Sequence, residues 1–486
     1  MELLSSASLD PSWDAIIVDI DIDGQLGSVA EQIDASAVNQ LVQLSERGEL
    51  AGNVGDVTLL HFTNALLPKL VSVVGIGHRS AVGPTTLYRA FGAGVKSLAG
   101  RQRQSIALGL DKYFNTASRT AAIAGAMNGG EGQDLYRSTR RLFPPKEIYV
   151  NNCSDLELSR GRAIGHAIRC TRRLVNEPPN KIYPESLADQ AAEMAKAFGL
   201  ECEIWDRQRL EKENCRALLA VSAGSDAEPR MIVLRHRGST TKSPELALVG
   251  KGVTFDSGGL SIKPTDGMKD MKCDMAGAAS VIGAMQAIAE LKVPRHVVGL
   301  IGAVENMLGG KAYKLGDVIK TRSGKTIEIL NTDAEGRVVL ADVLDVAAEM
   351  NPTQILDLAT LTGACIVALG TETIGMMTND ESWGTEVLAA AKRSGEPMWQ
   401  LPMFSFFDEQ IRSQIADIKN VGEGRWAGAI TAAKFLQEFV RDIPWVHLDI
   451  AGPAYSEQSK AWRDAGATGV PVRTLIELVL SLGSNS

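Results

Sequence analysis

The sequence predicts an α/β protein, in which a small N-terminal α/β domain precedes a larger C-terminal α/β domain with a mostly parallel central sheet covered by helices. A chain of 486 residues is longer than one hydrophobic core usually supports. Short apolar runs alternate with helix-like stretches along both halves. The runs in the second half are almost continuously apolar, which is typical of parallel strands buried on both faces. We therefore expect two domains of this class.

The first domain, residues 1–155, contains five strand-like runs separated by helix-like stretches, which predicts a small parallel or mixed sheet. The glycine runs V-G-I-G and G-A-G-V-K-S do not complete a dinucleotide-binding fingerprint, so we expect no nucleotide cofactor here. The strand-like runs cover 15–20, 57–62, 70–77, 105–110 and 147–150.

A helical connector is predicted for residues 156–175, because the following N-E-P-P-N contains two prolines that cannot continue a helix. The second domain then covers 176–486 and again alternates strands with helices. Its predicted elements are a strand over 245–256, a helix over 274–291, a strand over 296–306, a hairpin turning at Ser323 and Gly324, a helix over 337–350 and a strand over 355–361.

The composition excludes several classes of protein. A net charge of -8 disfavours a polyanion-binding protein, and the basic islands at 101–103 and 137–141 are better explained as solvated helix faces. Six cysteines without C-x-x-C spacing argue against a disulfide framework and a thiolate zinc site. The sequence shows neither a secretory signal nor a membrane-spanning run. We expect a cytoplasmic protein that does not associate with membranes.

The segment N-T-D-A-E-G-R at 331–337 is the most informative motif. Asp333 and Glu335 are two residues apart, and in an extended segment this spacing directs both side chains to the same side. Their oxygens can then converge on one point, with Arg337 close behind. This pattern predicts a metal site.

A second cluster lies upstream in a glycine-rich stretch and contains Lys251, Asp256, Lys263 and Asp274. If it shares a pocket with the N-T-D-A-E-G-R segment, four carboxylates face one another, and each close pair costs about 4 kcal/mol at an effective dielectric constant of about 20. Two divalent ions would balance these charges. The six histidines form no H-E-x-x-H motif, so the site is rich in oxygen. Such ligands favour Mn²⁺ or Mg²⁺, or Zn²⁺ when an amine joins them.

Five segments in this order resemble the leucine aminopeptidase family of two-metal cytosolic exopeptidases: G-K-G-V-T-F-D-S-G-G-L-S-I-K-P, D-M-A-G-A-A-S-V, N-T-D-A-E-G-R, L-D-L-A-T-L-T-G-A and H-L-D-I-A-G. The similarity extends over about residues 165–480. It implies a homo-hexameric enzyme that removes leucine and other apolar residues from the N-termini of peptides. The attacking hydroxide in this family bridges two divalent ions, Mn²⁺ or Zn²⁺.

The resemblance also implies the metal ligands. One ion would be bound by Lys251, Asp256, Asp274 and Glu335, and the other by Asp256, Asp333 and Glu335. The side chain of Lys251 must be neutral to act as a ligand, and a nearby dication would lower its pKa accordingly.

The family's two catalytic positions fall on Lys263, which would stabilise the oxyanion, and Arg337, which would hold a bicarbonate acting as general base. The pocket for the first side chain of the substrate would be lined by Met271, Thr360, Gly363 and Ala451.

Two other functions remain open at this point. Paired metals also suit a phosphoesterase, although the lack of a histidine-rich ligand set disfavours it. A DNA-binding accessory role occurs in some bacterial members of the family, but the acidic N-terminal half weighs against nucleic acid as a partner.

Overall fold

The computed structural model describes residues 1–482. The chain divides into two compact units, one formed by Met1–Arg169, Arg393–Gly395 and Glu457–Gly466, the other by Cys170–Lys392, Glu396–Ser456 and the chain from Ala467 onward. The division falls within a long helix, Asp155–Asn176. No helix between residues 1 and 482 is long and apolar enough to cross a membrane.

The first unit contains a six-stranded mixed sheet in the order β1-β6-β5-β2-β4-β3. All neighbouring strands are parallel except β3 and β4. Five strands coincide with the predicted apolar runs, and β1 is additional. The strands are β1 (Glu2–Ser6), β2 (Ala15–Ile20), β3 (Val57–His61), β4 (Leu70–Gly75), β5 (Ser105–Gly109) and β6 (Glu147–Asn151). The first five helices of the chain are α1 (Ser28–Ser36), α2 (Gln40–Glu46), α3 (Pro84–Leu98), α4 (Thr116–Gly129) and α5 (Asp155–Asn176).

The second unit contains an eight-stranded sheet in the order β15-β14-β17-β13-β9-β10-β8-β7. The four central strands β17, β13, β9 and β10 are parallel, whereas β7, β8 and β14 are antiparallel to a neighbour. The strands are β7 (Glu201–Trp205), β8 (Arg230–Arg237), β9 (Leu246–Asp256), β10 (His296–Asn306), β13 (Gln354–Ala359), β14 (Ile374–Thr378), β15 (Met398–Gln400) and β17 (Trp445–Asp449).

Small sheets and ten further α-helices complete the part of the chain that the structure describes, residues 1–482. The predicted hairpin is present as β11 (Val318–Lys320) and β12 (Thr326–Glu328), with Gly324 at a φ of 94° in its turn. The other short strands are β16 (Ile418–Lys419), which pairs with β12, and the pair β18 (Tyr455–Ser456) and β19 (Gly466–Ala467). The remaining helices are α6 (Pro184–Phe198), α7 (Arg207–Lys212), α8 (Arg216–Ser222), α9 (Thr265–Met268), α10 (Ala276–Glu290), α11 (Glu335–Glu349), α12 (Gly363–Leu369), α13 (Glu381–Ser394), α14 (Gly428–Gln437) and α15 (Val472–Ser481).

Both faces of the large sheet are buried. Successive residues of β9 alternate between two hydrophobic clusters: Leu248 packs with residues of α10 and α15, and Val249 packs with residues of α8 and α11. A strand covered on both faces needs apolar side chains at every position, which explains the continuous apolar run. The predicted α/β class, with a mostly parallel sheet between helices, is confirmed.

The carboxyl ends of the four central parallel strands lie side by side. Strand β9 ends at Asp256, β10 at Asn306, β13 at Ala359 and β17 at Asp449. Ligands of open α/β sheets bind beyond these ends. The predicted site residues therefore lie at the expected edge.

Candidate metal centre and active site

Lys251 is the centre of one group of charges. It lies within β9, and its Nζ is 2.7 Å from Oδ1 of Asp274 and 2.8 Å from Oε1 of Glu335. It also donates to the carbonyl oxygen of Thr360 at 3.0 Å. Burial disfavours the charge on Lys251, but the carboxylates of Asp274 and Glu335 outweigh burial and raise the pKa of its ammonium. The sheet edge thus places a buried cation between two buried carboxylates.

Lys263 is the centre of a second group. Its Nζ is 2.8 Å from Oδ2 of Asp256 and 2.5 Å from Oδ1 of Asp333. Burial works against its charge as well, but Asp256 and Asp333, with a further contribution from Glu335, together outweigh burial and raise the pKa of Lys263. The structure therefore brings together all four predicted carboxylates and both predicted lysines.

The segment with Asp333 and Glu335 is not extended, and this part of the sequence argument is wrong. Asp333 lies in a turn in which its N–H donates to Oδ1 of Asn331 at 2.9 Å, and Glu335 is the first residue of α11. The two carboxylates converge because a turn leads directly into a helix. An acidic side chain in the first helical turn also interacts favourably with the helix dipole.

The carboxylates fit a divalent cation. Oxygens of Asp256, Asp333 and Glu335 all lie within 4.8 Å of one another. Oδ2 of Asp274 and Oε2 of Glu335 are buried and have no hydrogen-bond partner among residues 1–482. Burial raises the pKa of Asp274 and of Asp256, with further increases from Glu335, despite the neighbouring lysines. The four carboxylates outnumber the two lysines that lie between them, so the site has an excess of negative charge that attracts cations.

Arg337 lies in the first turn of α11 and is buried. Its Nη1 donates to the carbonyl oxygen of Asn420 at 2.9 Å. Its Nε has no hydrogen-bond partner among the described residues. Burial lowers the pKa of Arg337 to about 10. A buried guanidinium with a free donor is suited to bind an anion.

Two of the four predicted pocket residues, Thr360 and Met271, lie beside Asp274, whereas Gly363 and Ala451 lie on segments that Asp449 connects. Thr360 donates from Oγ1 to Oδ1 of Asp274 at 2.8 Å. Met271 begins the 3₁₀ turn Met271–Met275 that carries Asp274, and Gly363 is the exposed first residue of α12. The backbone N–H of Ala451 donates to Oδ1 of Asp449 at 3.1 Å.

Asp449 joins the segments that follow β13 and β17, and the sequence argument did not single it out. Besides Ala451, it accepts hydrogen bonds from the backbone N–H of Leu361 at 3.3 Å and from Oγ1 of Thr362 at 2.6 Å. Asp449 is fully buried, and burial raises its pKa. Asp449 therefore sets the distance between the segment after β13, which contains Thr360, and the segment after β17, which contains Ala451.

Two buried asparagines were also missed. Asn306 donates to Oδ1 of Asp256 and to the carbonyl oxygen of Thr332. Asn420 accepts from the backbone N–H of Leu330 at 2.9 Å and donates to the carbonyl oxygen of Asn331 at 2.6 Å. Neither has a local sequence signal, although Asn306 is the last residue of a predicted strand.

These features define an α/β protein with a cation-attracting acidic site at the carboxyl edge of its larger sheet. Comparison with known proteins identifies the family. A family model described as "Cytosol aminopeptidase family, catalytic domain" matches residues 169–476, and one described as "Cytosol aminopeptidase family, N-terminal domain" matches residues 17–140.

Individual relatives agree with these matches. A probable cytosol aminopeptidase of Rhodopirellula baltica is 54% identical over 432 residues, which cover 89% of this chain and 85% of that protein. A probable cytosol aminopeptidase of Aquifex aeolicus is 43% identical over 456 residues, which cover 92% of each chain. The solved structure of the bottromycin maturation enzyme BotP in complex with Mn has a TM-score of 0.86 at 34% identity, covering 97% of this chain and 100% of that chain.

The chain belongs to the cytosol aminopeptidase family and is an aminopeptidase, a hydrolase of peptides. The resemblance to the leucine aminopeptidases is thereby confirmed.

Proposed function

We propose that this aminopeptidase uses two divalent metal ions, Mn²⁺ or Zn²⁺, to release leucine and other apolar residues from the N-termini of peptides. The observation that carries the proposal is the convergence of four carboxylates and two lysines at one sheet edge. The manganese complex of the similar enzyme BotP also supports it.

The five proposed metal ligands are Lys251, Asp256, Asp274, Asp333 and Glu335. When bound, the ions would acidify a water molecule near neutral pH and polarise the scissile carbonyl. Lys251 must lose its proton to act as a ligand, and divalent charge beside it would lower its pKa. Its position 2.7 Å from Asp274 and 2.8 Å from Glu335 supports its place in this set.

Lys263 is the proposed electrophilic residue. Its ammonium is held by Asp256 and Asp333, and its side chain is 16% exposed, so it can reach a substrate without losing its orientation. A fixed cation directed at a developing oxyanion contributes about 2.7 to 4 kcal/mol to catalysis.

Arg337 is the proposed anchor of a bicarbonate that acts as general base. Its buried Nε is the donor available to such an anion. A bidentate guanidinium–oxyanion contact would hold the base in a fixed orientation, which increases the efficiency of proton transfer.

The first side chain of the substrate would occupy a pocket lined by Met271, Thr360, Gly363 and Ala451. The free α-amine of the substrate would be a ligand of one of the two metal ions, so that only the first peptide bond is positioned for attack. We further propose that the enzyme is a cytoplasmic homo-hexamer. The names of its relatives support the location, and light scattering of the purified protein tests the assembly.

The test is release of leucine from a leucyl anilide by metal-stripped protein, before and after addition of Mn²⁺ or Zn²⁺. The expected result is activity that returns with metal and is absent with an N-acetylated substrate. No cleavage by folded, metal-loaded protein would overturn the proposal. A phosphodiester substrate and salt-dependent binding of duplex DNA, assayed in parallel, test the two alternative functions.

A further inference from the structure

The side chain of Asn306 spans the two chain segments that carry the carboxylates. Asn306 is fully buried at the end of β10, directly opposite Asp256 in the strand register. Its Nδ2 donates to Oδ1 of Asp256 at 2.8 Å and to the carbonyl oxygen of Thr332 at 2.9 Å. Both partners can only accept hydrogen bonds, so the amide nitrogen must face them.

The first hydrogen bond orients Asp256. Oδ1 of this carboxylate accepts from Asn306 and from the backbone N–H of Gly258, each at 2.8 Å. Its other oxygen, Oδ2, is directed to Lys263 at 2.8 Å. The two donors thus fix the rotation of the carboxylate and keep Oδ2 on the side of the other acidic residues.

The second hydrogen bond fixes the backbone immediately before Asp333. The carbonyl oxygen of Thr332 accepts from Asn306 and, at 2.8 Å, from the hydroxyl of Tyr313. The two N–H groups of a planar amide point in fixed directions, so a single side chain sets the separation of Asp256 from Asp333. Hydrogen bonds to metal-binding carboxylates tune the affinity of the site.

We propose that Asn306 is a positioning residue that sets the divalent-metal affinity of this site by orienting Asp256 relative to Asp333. The inference rests on the proposed two-metal function. Replacing both N–H donors by apolar groups of similar size removes one of the two donors that fix the rotation of Asp256 and leaves only Gly258 on Oδ1, which should weaken Mn²⁺ binding about 10- to 100-fold.

The test is a Mn²⁺ titration of metal-stripped full-length protein, with free Mn²⁺ measured by electron paramagnetic resonance. The variants are Asn306→Leu and, should leucine not fit, Asn306→Ala. Asn128→Leu is a matched control, because Asn128 is also buried and its amide donates to the carbonyl oxygens of Ala124 and Gly165 within the first unit. Tyr313→Phe removes the other donor to Thr332 but leaves Asp256 untouched.

The expected result is the predicted loss of affinity for both Asn306 variants, with near wild-type affinity for Asn128→Leu and Tyr313→Phe. Leucyl anilide cleavage by the Asn306 variants should be lost at limiting Mn²⁺ and recover at saturating Mn²⁺, which a general folding defect would not allow. For a variant of marginal stability, the Mn²⁺-induced rise in Tm gives the dissociation constant for Mn²⁺ instead.

Wild-type affinity in either folded Asn306 variant would overturn the inference. An equal loss in Tyr313→Phe would also overturn it, because the effect would then come from the Thr332 carbonyl rather than from Asp256. Failure of the wild-type protein to bind Mn²⁺ would instead overturn the proposed function.

Discussion

Replacing Lys263 by alanine tests the role of electrophile that we propose for this residue. Two carboxylates hold its ammonium at 2.8 and 2.5 Å, so the cation is already oriented before substrate binds. Loss of one fixed donor to an oxyanion costs about 2.7 to 4 kcal/mol, equivalent to about a 100- to 1,000-fold fall in kcat. A unit charge about 4 Å away contributes about 4 kcal/mol at an effective dielectric constant of 20, which agrees with this range. We expect a fall in kcat with little change in KM, because the interaction develops in the transition state.

The same substitution should not weaken metal binding. Without Lys263, Asp256 and Asp333 face each other with one fewer cation between them, so the attraction for a divalent ion should stay the same or increase. A Mn²⁺ titration of Lys263→Ala therefore shows whether lower activity is caused by loss of the electrophilic side chain or by loss of bound metal.

The assay is steady-state hydrolysis of a leucyl anilide at saturating Mn²⁺, with Lys263→Arg as a charge-conserving variant. Lys263→Arg should retain part of the activity that alanine loses, since charge is kept but geometry changes. A Lys263→Ala enzyme with full Mn²⁺ occupancy and a nearly unchanged kcat would exclude the electrophilic role of Lys263, as would an effect on KM alone.

Three further predictions concern the surroundings of the site and the first unit. Gly336→Ala should weaken Mn²⁺ binding, because a Cβ there would lie 2.5 Å from Cε of Lys251 and displace it; wild-type affinity in a titration would contradict this. Asp449→Ala leaves the buried hydroxyl of Thr362 and the partly buried N–H groups of Leu361 and Ala451 without their acceptor, and such a loss costs about 1 to 3 kcal/mol for a fully buried donor. Urea unfolding should show the loss of stability, and the KM for a leucyl substrate should rise because the Ala451 segment is released; an unchanged KM would argue against that pocket. Burial raises the pKa of Asp19 from 3.8 to about 7, so its contribution to stability is complete below pH 3.8 and is lost as pH rises through about 7. The free energy of unfolding of Asp19→Asn should therefore vary less with pH over this interval than that of the wild-type protein. Parallel pH profiles for the two proteins would exclude titration of Asp19 as the cause.

Much of the fold could be predicted from the sequence because its signals are local. The run at 296–306 is apolar at nearly every position, and it forms β10 with those bounds. Strand β1 was missed because E-L-L-S-S contains only two apolar residues and depends on pairing with β6, which is distant in sequence. The antiparallel strands at the edges of the large sheet were also missed, because strand direction is set by the connections between strands rather than by local composition.

The site was predictable in its charged residues but not in the groups that orient them. Of the two residues at the carboxyl end of β10, only Asn306 contacts Asp256, whereas the carboxylate of Glu305 accepts from Oγ of Ser225 at 2.5 Å. Adjacent strand residues point to opposite faces, and an irregularity in the β9–β10 register falls between Val304 and Glu305. Asn420 reaches Leu330 from 90 positions away, so only the folded chain reveals this contact.

Anomalous diffraction at the manganese absorption edge, from a crystal grown with Mn²⁺, would show whether two divalent ions bind between these carboxylates. We expect two anomalous peaks per chain, one between Asp274 and Glu335 and the other beside Asp333, with Asp256 in contact with both. A fully loaded crystal with no peak among these carboxylates would contradict this expectation.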